Sequence, residues 1–278
     1  MSYRERDGRV VLSIPHASDF IPEEIYNDVF LPVIDRTDEY EEMTEVKKSL
    51  IVSHEKYMMT DWYTDELFDS GIHSMIKAEV SRLVCDIERF TENEEMEKVG
   101  MGFCYTSSFD LTPLKSVSDE HRRFVYEHYY RPYHETLEML VDNAIEKNGE
   151  CVIVDCHSYF PLPLKYEKDN PSSRASLREE ICIGSDSYHT PSSLVSFTEY
   201  FFRKAGYRVS FNTPFSGTMV PMKYWHKDRR VKSVMIEIRR DMYMKGLLNE
   251  KSPSFDTLRS LLALYEKVLD RGKITAMQ

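Results

Sequence analysis

The sequence predicts an α/β fold: a sheet covered by helices on both faces, in a single domain over residues 1–278. Three observations carry this. Apolar strand-like runs alternate with stretches of helical periodicity along the whole chain. Several of those runs are apolar at every position, as strands covered on both sides are. No internal repeat, low-complexity stretch or long linker interrupts them, and ten glycines and twelve prolines are too few to build one.

The elements follow in order. Val10–Ile14 is the first strand, stopped by Pro15. A helical stretch is expected around Asp38–Lys48, with Ser49–His54 continuing as a strand or a helix end. Arg82–Ile87 reads as the second strand. A long helix is predicted from Ser118 to Lys147, with Ser118 as its cap, Phe124, Tyr129, Tyr133, Leu137, Leu140, Val141 and Ile145 on its apolar stripe, and a kink at Pro132. Gly149 ends it. Cys151–Ser158 is the most strand-like segment, and Glu180–Ser185 is another strand. A helix over Pro191–Ala205 closes at Gly206, followed by strands Tyr207–Asn212 and Val231–Arg240 and a last helix over Ser254–Asp270. Thr91–Val117 and Tyr159–Glu180 read as long loops, which in α/β proteins often wall a site.

Hydrophobic residues make up 41% of the chain and charged residues 30%, an ordinary globular balance. No run approaches the ~18 apolar residues of a membrane span. The charged opening, MSYRERDGRV, reads as the start of a folded domain and not as a leader. The formal net charge of −11 argues against nucleic acid or an anionic membrane as partner, and leaves room for a small anionic substrate. The five cysteines are scattered without a C-x-x-C pair, so reduced thiols in a cytoplasmic protein are expected.

Chemistry in an open α/β sheet collects at the carboxyl ends of the strands. There the chain puts His16, then Asp86, Glu88 and Arg89, then Asp155, His157 and Ser158, then Asn212 with the loop TPFSGT, then Glu237 and Arg239. His16 and His157 with one carboxylate would make a zinc site, since zinc takes imidazole nitrogen and carboxylate oxygen and needs three protein ligands when catalytic. Two carboxylates compete for the third place, Asp19 and Asp61. Each residue also has a plain structural reading. A histidine after a strand commonly serves its turn, Asp61 could cap a helix, and Arg82 and Arg89 could pair with nearby acids. Glu237, set between isoleucines, is costly to bury unless paired or functional. The stretch HRRFVYEHYYRPYH is basic and aromatic, but its periodicity is that of a packed helix. No phosphate loop, dinucleotide fingerprint or G-x-S-x-G elbow is present.

Seven motifs in order resemble the N-formylglutamate amidohydrolase family: LSIPHAS…IP (Leu12–Pro22), TDWYTDELFD (Thr60–Asp69), SRLVCDIERF (Ser81–Phe90), YYRPYHETL (Tyr129–Leu137), VDCHSY (Val154–Tyr159), FNTPFSGTMV (Phe211–Val220) and MIEIRRDMYM (Met235–Met244). The resemblance implies a zinc carboxypeptidase-like architecture, a mixed central sheet with helices on both faces. It implies a zinc-dependent amidohydrolase that releases formate from N-formyl-L-glutamate, or cleaves another N-acyl amide of an acidic amino acid, in histidine degradation. Carried over, His16, His157 and Asp61 hold the metal, with Asp61 preferred to Asp19. Glu237 is the general base. Arg82 steadies the oxyanion and Arg89 grips the substrate carboxylate. Asn212, Gly217 and Thr218 line the pocket, and Asp155 or His134 orients an imidazole. Other divalent transition metals suit the same donors. The chain departs from the family pattern at Glu88, where an amide is expected, and in the loop SYFPLPLKYEKDNP. Three alternatives stand beside this: a different hydrolase on the same scaffold, such as another N-acyl-amino-acid deacylase or a small carboxypeptidase; a metal-binding or degenerate, non-catalytic member; or a protein-interaction domain with no metal.

Overall fold

The computed structural model describes residues 1–30, 45–167, 178–246 and 249–272. Seven strands form one mixed sheet: β1 (Ser2–Arg4), β2 (Val10–Ile14), β3 (Ser74–Lys77), β4 (Cys151–Tyr159), β5 (Ile181–Gly184), β6 (Val209–Phe211) and β7 (Val231–Arg239), in the order β1-β3-β2-β4-β7-β5-β6. The central strands β3, β2, β4 and β7 are parallel, so their carboxyl ends share one edge. β1 runs antiparallel to β3 and β5 antiparallel to β7, while β5 and β6 pair in parallel. The helices are α1 (Glu23–Ile25), α2 (Glu45–Met59), α3 (Thr64–Leu67), α4 (Asp119–Val125), α5 (Arg131–Asn148), α6 (Ser192–Lys204) and α7 (Phe255–Asp270).

The period of two along a strand sorts each side chain to one face. Val11, Cys151 and Ile153 join the core under α5, with Leu137, Leu140 and Val141. Val10, Leu12, Ile14, Val152, Val154, Cys156, Val234, Ile236 and Ile238 join the opposite core, under α6 and α7, with Leu194, Phe202, Leu258 and Leu262. The isoleucines beside Glu237 therefore lie on the far face. Asp155, His157 and Glu237 share the α5 side of the sheet, toward the shared carboxyl edge.

The helix ends follow the local chemistry read above. The Ser118 side chain accepts a hydrogen bond from the His121 N–H at the start of α4, and Gly149 ends α5 at φ +78°. Between α4 and α5 the chain widens into a π-turn over Tyr126–Tyr130, just before Pro132. That is where the predicted kink falls, because proline cannot donate to the preceding turn.

Two segments differ from expectation. Arg82–Ile87 is not a strand: the N–H groups of Val84 and Cys85 both bond to Ser81 O, closing a turn. Its apolar residues Leu83, Val84, Cys85 and Ile87 are buried all the same, and a short apolar run does not by itself separate a strand from a buried turn. The strand lies earlier, in the unremarkable SMIK of β3. Ser49–His54 is helical, inside α2. The part of the Asp38–Lys48 reading before residue 45 lies outside the described residues, as do residues 168–177 of the predicted loop. No helix among the described residues is long and apolar enough to cross a membrane. All five cysteines are free and buried.

One buried acid lies far from the site. Glu266 of α7 is fully buried, with His73 Nε2 at 3.9 Å. Burial pushes its carboxyl up to about 8. The folded state thus keeps a proton that an unfolded glutamate loses near about 4.3. Stability falls as pH rises from there toward 8, where the folded form also ionises. Glu266→Gln removes that penalty. The variant is expected to melt about 5 °C above wild type at pH 9 and to show no gain at pH 4, by thermal denaturation at the two pH values.

Candidate active site

Three central strands bring the site together. His157, near the carboxyl end of β4, pairs in register with Glu237 of β7. His16 lies just beyond β2, after Pro15 has stopped the strand. Asp61 arrives from the turn before α3, and its N–H donates to the His16 carbonyl at 2.9 Å, which ties the two segments. The Asp61 side chain does not cap α3; the residue preceding that helix is Tyr63, in the left-handed region.

The two imidazole rings lie 5.1 Å apart, and both turn Nδ1 toward the same oxygen. Asp61 Oδ2 is 3.1 Å from His157 Nδ1 and 3.8 Å from His16 Nδ1. Each ring rests its Nε2 on another carboxylate. His16 Nε2 is 2.9 Å from Asp86 Oδ1; His157 Nε2 is 3.0 Å from Glu88 Oε1 and 3.3 Å from Asp155 Oδ1. Glu88 Oε2 also comes within 3.7 Å of His16 Nδ1.

This arrangement fits a metal ion. His16, Asp61 and His157 are buried, and each offers a ligand atom within 4.8 Å of the others. His16 Nδ1 is buried with no hydrogen-bond partner among the described residues, which is costly for a polar atom with nothing else to bind. A carboxylate behind each imidazole is the usual support of a metal-ligating histidine. Glu88 belongs to two further donor groups, one with His16 and Asp86 and one with Asp155 and His157.

Electrostatics holds the cluster in opposite charges. Burial works against the Asp61 charge, but the hydrogen bond with His157 and the nearby imidazole of His16 keep its carboxyl well below the usual range. Burial likewise opposes a charge on His157, and Glu88 and Asp155 overcome it, raising the imidazole well above its ordinary value. Asp86 is held far down by Arg82 and His16 against its burial, and Glu88 is lowered to about 2, against burial, by the two histidines. Burial pushes Asp155 up to about 6, with Glu88 adding to it. Burial also pushes Glu237 up to about 8, against the pull of His157.

Asp86 is fully buried under a dense set of donors: Arg82 at 2.8 Å and the Tyr105 hydroxyl at 2.6 Å on one oxygen, His16 on the other. It fixes the direction in which His16 points. Asp86→Asn is therefore expected to weaken metal binding about 10- to 100-fold, read by competition with a chelating dye.

A cavity of about 390 Å³ opens over the cluster. His16, Asp61, Arg82, Glu88, Arg89, His157 and Glu237 all line it, with Pro214, Phe215 and Ser216 of the TPFSGT loop. Other sequence-predicted residues lie elsewhere. The Asp19 carboxylate is half-exposed and pairs with Lys56 at 2.9 Å, outside the cluster. Asn212 turns away from the cavity, because its side chain bridges the Ser185 N–H and hydroxyl at 2.8 and 2.9 Å. Gly217 and Thr218 line a neighbouring cavity, with the Thr218 hydroxyl 2.6 Å from that of Ser233. His134 bonds to the Ile87 carbonyl at 2.8 Å. Arg239 pairs with Asp241. Sequence reasoning missed two supports, Tyr105 and Arg240, which donates to Asp61 Oδ1 at 3.3 Å; it named Glu88 but not the place of its carboxylate between the imidazoles. Glu88 carried a signal, an acid two residues after Asp86 in place of an amide; Tyr105 and Arg240 carried none.

Comparison with known proteins identifies the fold and the family. A crystal structure of N-formylglutamate amidohydrolase from Ralstonia eutropha JMP134 superposes with a TM-score of 0.77, covering 98% of this chain and 97% of that one at 19% identity. A gene product of Agrobacterium tumefaciens superposes at 0.60, covering 98% and 93% at 20% identity. At such identities the likeness is one of fold. The N-formylglutamate deformylase of Pseudomonas putida is 29% identical over 121 residues, 41% of this chain and 45% of that protein, so the match spans less than half of either. The sequence model of the N-formylglutamate amidohydrolases matches residues 8–244, and the chain belongs to that family.

Proposed function

We propose that this protein is a metal-dependent amidohydrolase that cleaves the N-formyl, or another small N-acyl, amide of an amino acid, with N-formyl-L-glutamate as the reference substrate. The observation that carries this is the convergence of His16 Nδ1 and His157 Nδ1 on Asp61, in one cavity with Glu237 and three arginines. Family membership supports the reaction class. The N and O donors suit Zn²⁺, and cobalt, nickel or iron share the preference.

His16, Asp61 and His157 would hold the ion, which supplies Lewis acidity and brings the pKa of a water toward about 7. Asp86 and Asp155 steer the two imidazoles. Glu237 takes the proton of the attacking water and passes it to the leaving amine nitrogen as the carbon–nitrogen bond breaks. Arg82, clamped between Asp86 and Tyr105, is a rigid donor toward the oxyanion. Arg89 pairs with the amino acid's carboxylate.

The test is formate release from N-formyl amino acids, glutamate first, beside N-acetyl amino acids and dipeptides. Cleavage of N-formyl amides is expected, lost after dialysis against a chelator and restored by zinc. A folded, zinc-loaded protein that frees neither formate from the N-formyl nor acetate from the N-acetyl amino acids would refute the proposal.

A further inference from the structure

The cavity over the histidines is continuous in its walls with a second compartment of about 240 Å³: Glu88, Arg89, Ser216 and Met235 line both. The rest of the second wall is different in kind, with Phe90, Tyr130, Met219, Met222 and Trp225. Phe90 and Met222 are 47% and 55% exposed. Apolar surface is thus left open to water beside a strongly polar site, where an apolar group would cover it. The polar groups of this wall are already engaged. His134 bonds to the Ile87 carbonyl, Asp155 accepts from the Met219 N–H at 2.7 Å, and the Thr218 hydroxyl is shared with Ser233.

The charges point the same way. Of the arginines lining the central cavity, Arg82 donates to Asp86 and Tyr105. Arg240 donates to Asp61 and to the carbonyls of Tyr57 and Met58. Arg89 differs from both in making no side-chain hydrogen bond to a described residue. Its Nε, like that of Arg240, is buried without a partner, but Arg240 is held through its other nitrogens. The carboxylate beside it, Asp86 Oδ2 at 3.6 Å, already receives Arg82 and Tyr105. Arg89 is also the one lysine or arginine, among the described residues, that lines the second compartment. Glu88 stands next to it on the same wall. The site therefore offers one guanidinium to a carboxylate, and a fixed carboxylate that repels a second.

We infer that the amino acid taken by this site carries a single carboxylate, held by Arg89, and an uncharged apolar side chain, which fills the compartment walled by Phe90, Met222 and Trp225. The inference rests on the amidohydrolase reading and names which amino acid that site selects. A glutamyl side chain would bring its second carboxylate against Glu88 with no free cation to meet it, whereas a leucyl or methionyl side chain buries its methylenes.

The experiment measures kcat/KM of the zinc-loaded protein on N-formyl-L-leucine, N-formyl-L-methionine and N-formyl-L-glutamate. In parallel, calorimetry measures the binding of the same three compounds to the Glu237→Gln protein. The apolar compounds are expected to exceed N-formyl-L-glutamate about 100-fold in kcat/KM and to bind in preference to it. Met222→Lys should reduce that preference about tenfold, and Glu88→Asn, whatever it does to overall turnover through His157, should shift the ratio of kcat/KM toward N-formyl-L-glutamate. Equal or better use of N-formyl-L-glutamate by the unaltered protein would overturn the inference and leave the amidohydrolase reading standing. Binding that favours the apolar compounds with no turnover of any would uphold the selectivity and defeat the hydrolytic reading. Indifferent binding without turnover would defeat both.

Discussion

Replacing Glu237 by glutamine is expected to lower kcat about 10³-fold, with KM changed by no more than a few-fold. The amide matches the carboxylate in shape and keeps the packing on the α5 side of β7, but it cannot accept a proton from water or return one to the leaving nitrogen. The residue has no evident structural duty to confuse the result. One of its oxygens is buried without a hydrogen-bond partner among the described residues, and burial pushes its carboxyl up to about 8. A group held this way costs the fold stability as it ionises, so the variant should be at least as stable as wild type above pH 8. Steady-state kinetics and a denaturation curve on the same preparation check both halves. A variant with full activity would remove Glu237 from the mechanism.

Asp61→Asn is expected to abolish metal binding and, with it, activity. Two effects combine. The oxygen facing both Nδ1 atoms loses its negative charge, and the site loses the one carboxylate of its His₂–carboxylate donor set. Arg240, buried and donating to the other oxygen of Asp61, loses its counter-charge. Breaking a buried pair by removing one partner costs about 3–5 kcal/mol, so the urea midpoint should drop as well. Asp19→Asn serves as the control. Its carboxylate is 44% exposed and pairs with Lys56, and an exposed pair contributes at most about 1 kcal/mol. Elemental analysis should find the ion in the Asp19 variant at the wild-type level and absent from the Asp61 variant.

Glu88 shows how much a single departure from a family pattern can carry. As a residue name in DIERF it is one acid among many. In the fold it reaches both imidazoles and borders Arg89, which alone among the arginines lining the central cavity has no hydrogen-bonded carboxylate among the described residues. Its effect on substrate choice depends on where that arginine and the apolar wall beyond it lie, and these come from three separate stretches of the chain.

The sequence by itself determined the strands β2, β4 and β7, and with them the edge on which His16, His157 and Glu237 meet. Apolar runs and the period of two are local properties, and a strand's direction decides which end carries its polar residue. It also determined the caps at Ser118 and Gly149, because capping is settled within a few residues. Only the tertiary structure decided which carboxylate joins the histidines, that Arg82–Ile87 is a turn, and that Asp86 and Glu88 stand behind the imidazoles. Asp61 bonds to a histidine 96 positions away, and Glu88 to the same histidine across 69. No local pattern encodes which of several acids in loops will end beside a given strand. That is set by how the loops pack once the sheet exists, where a buried imidazole must find a partner and an exposed Asp19 can be satisfied by a surface lysine.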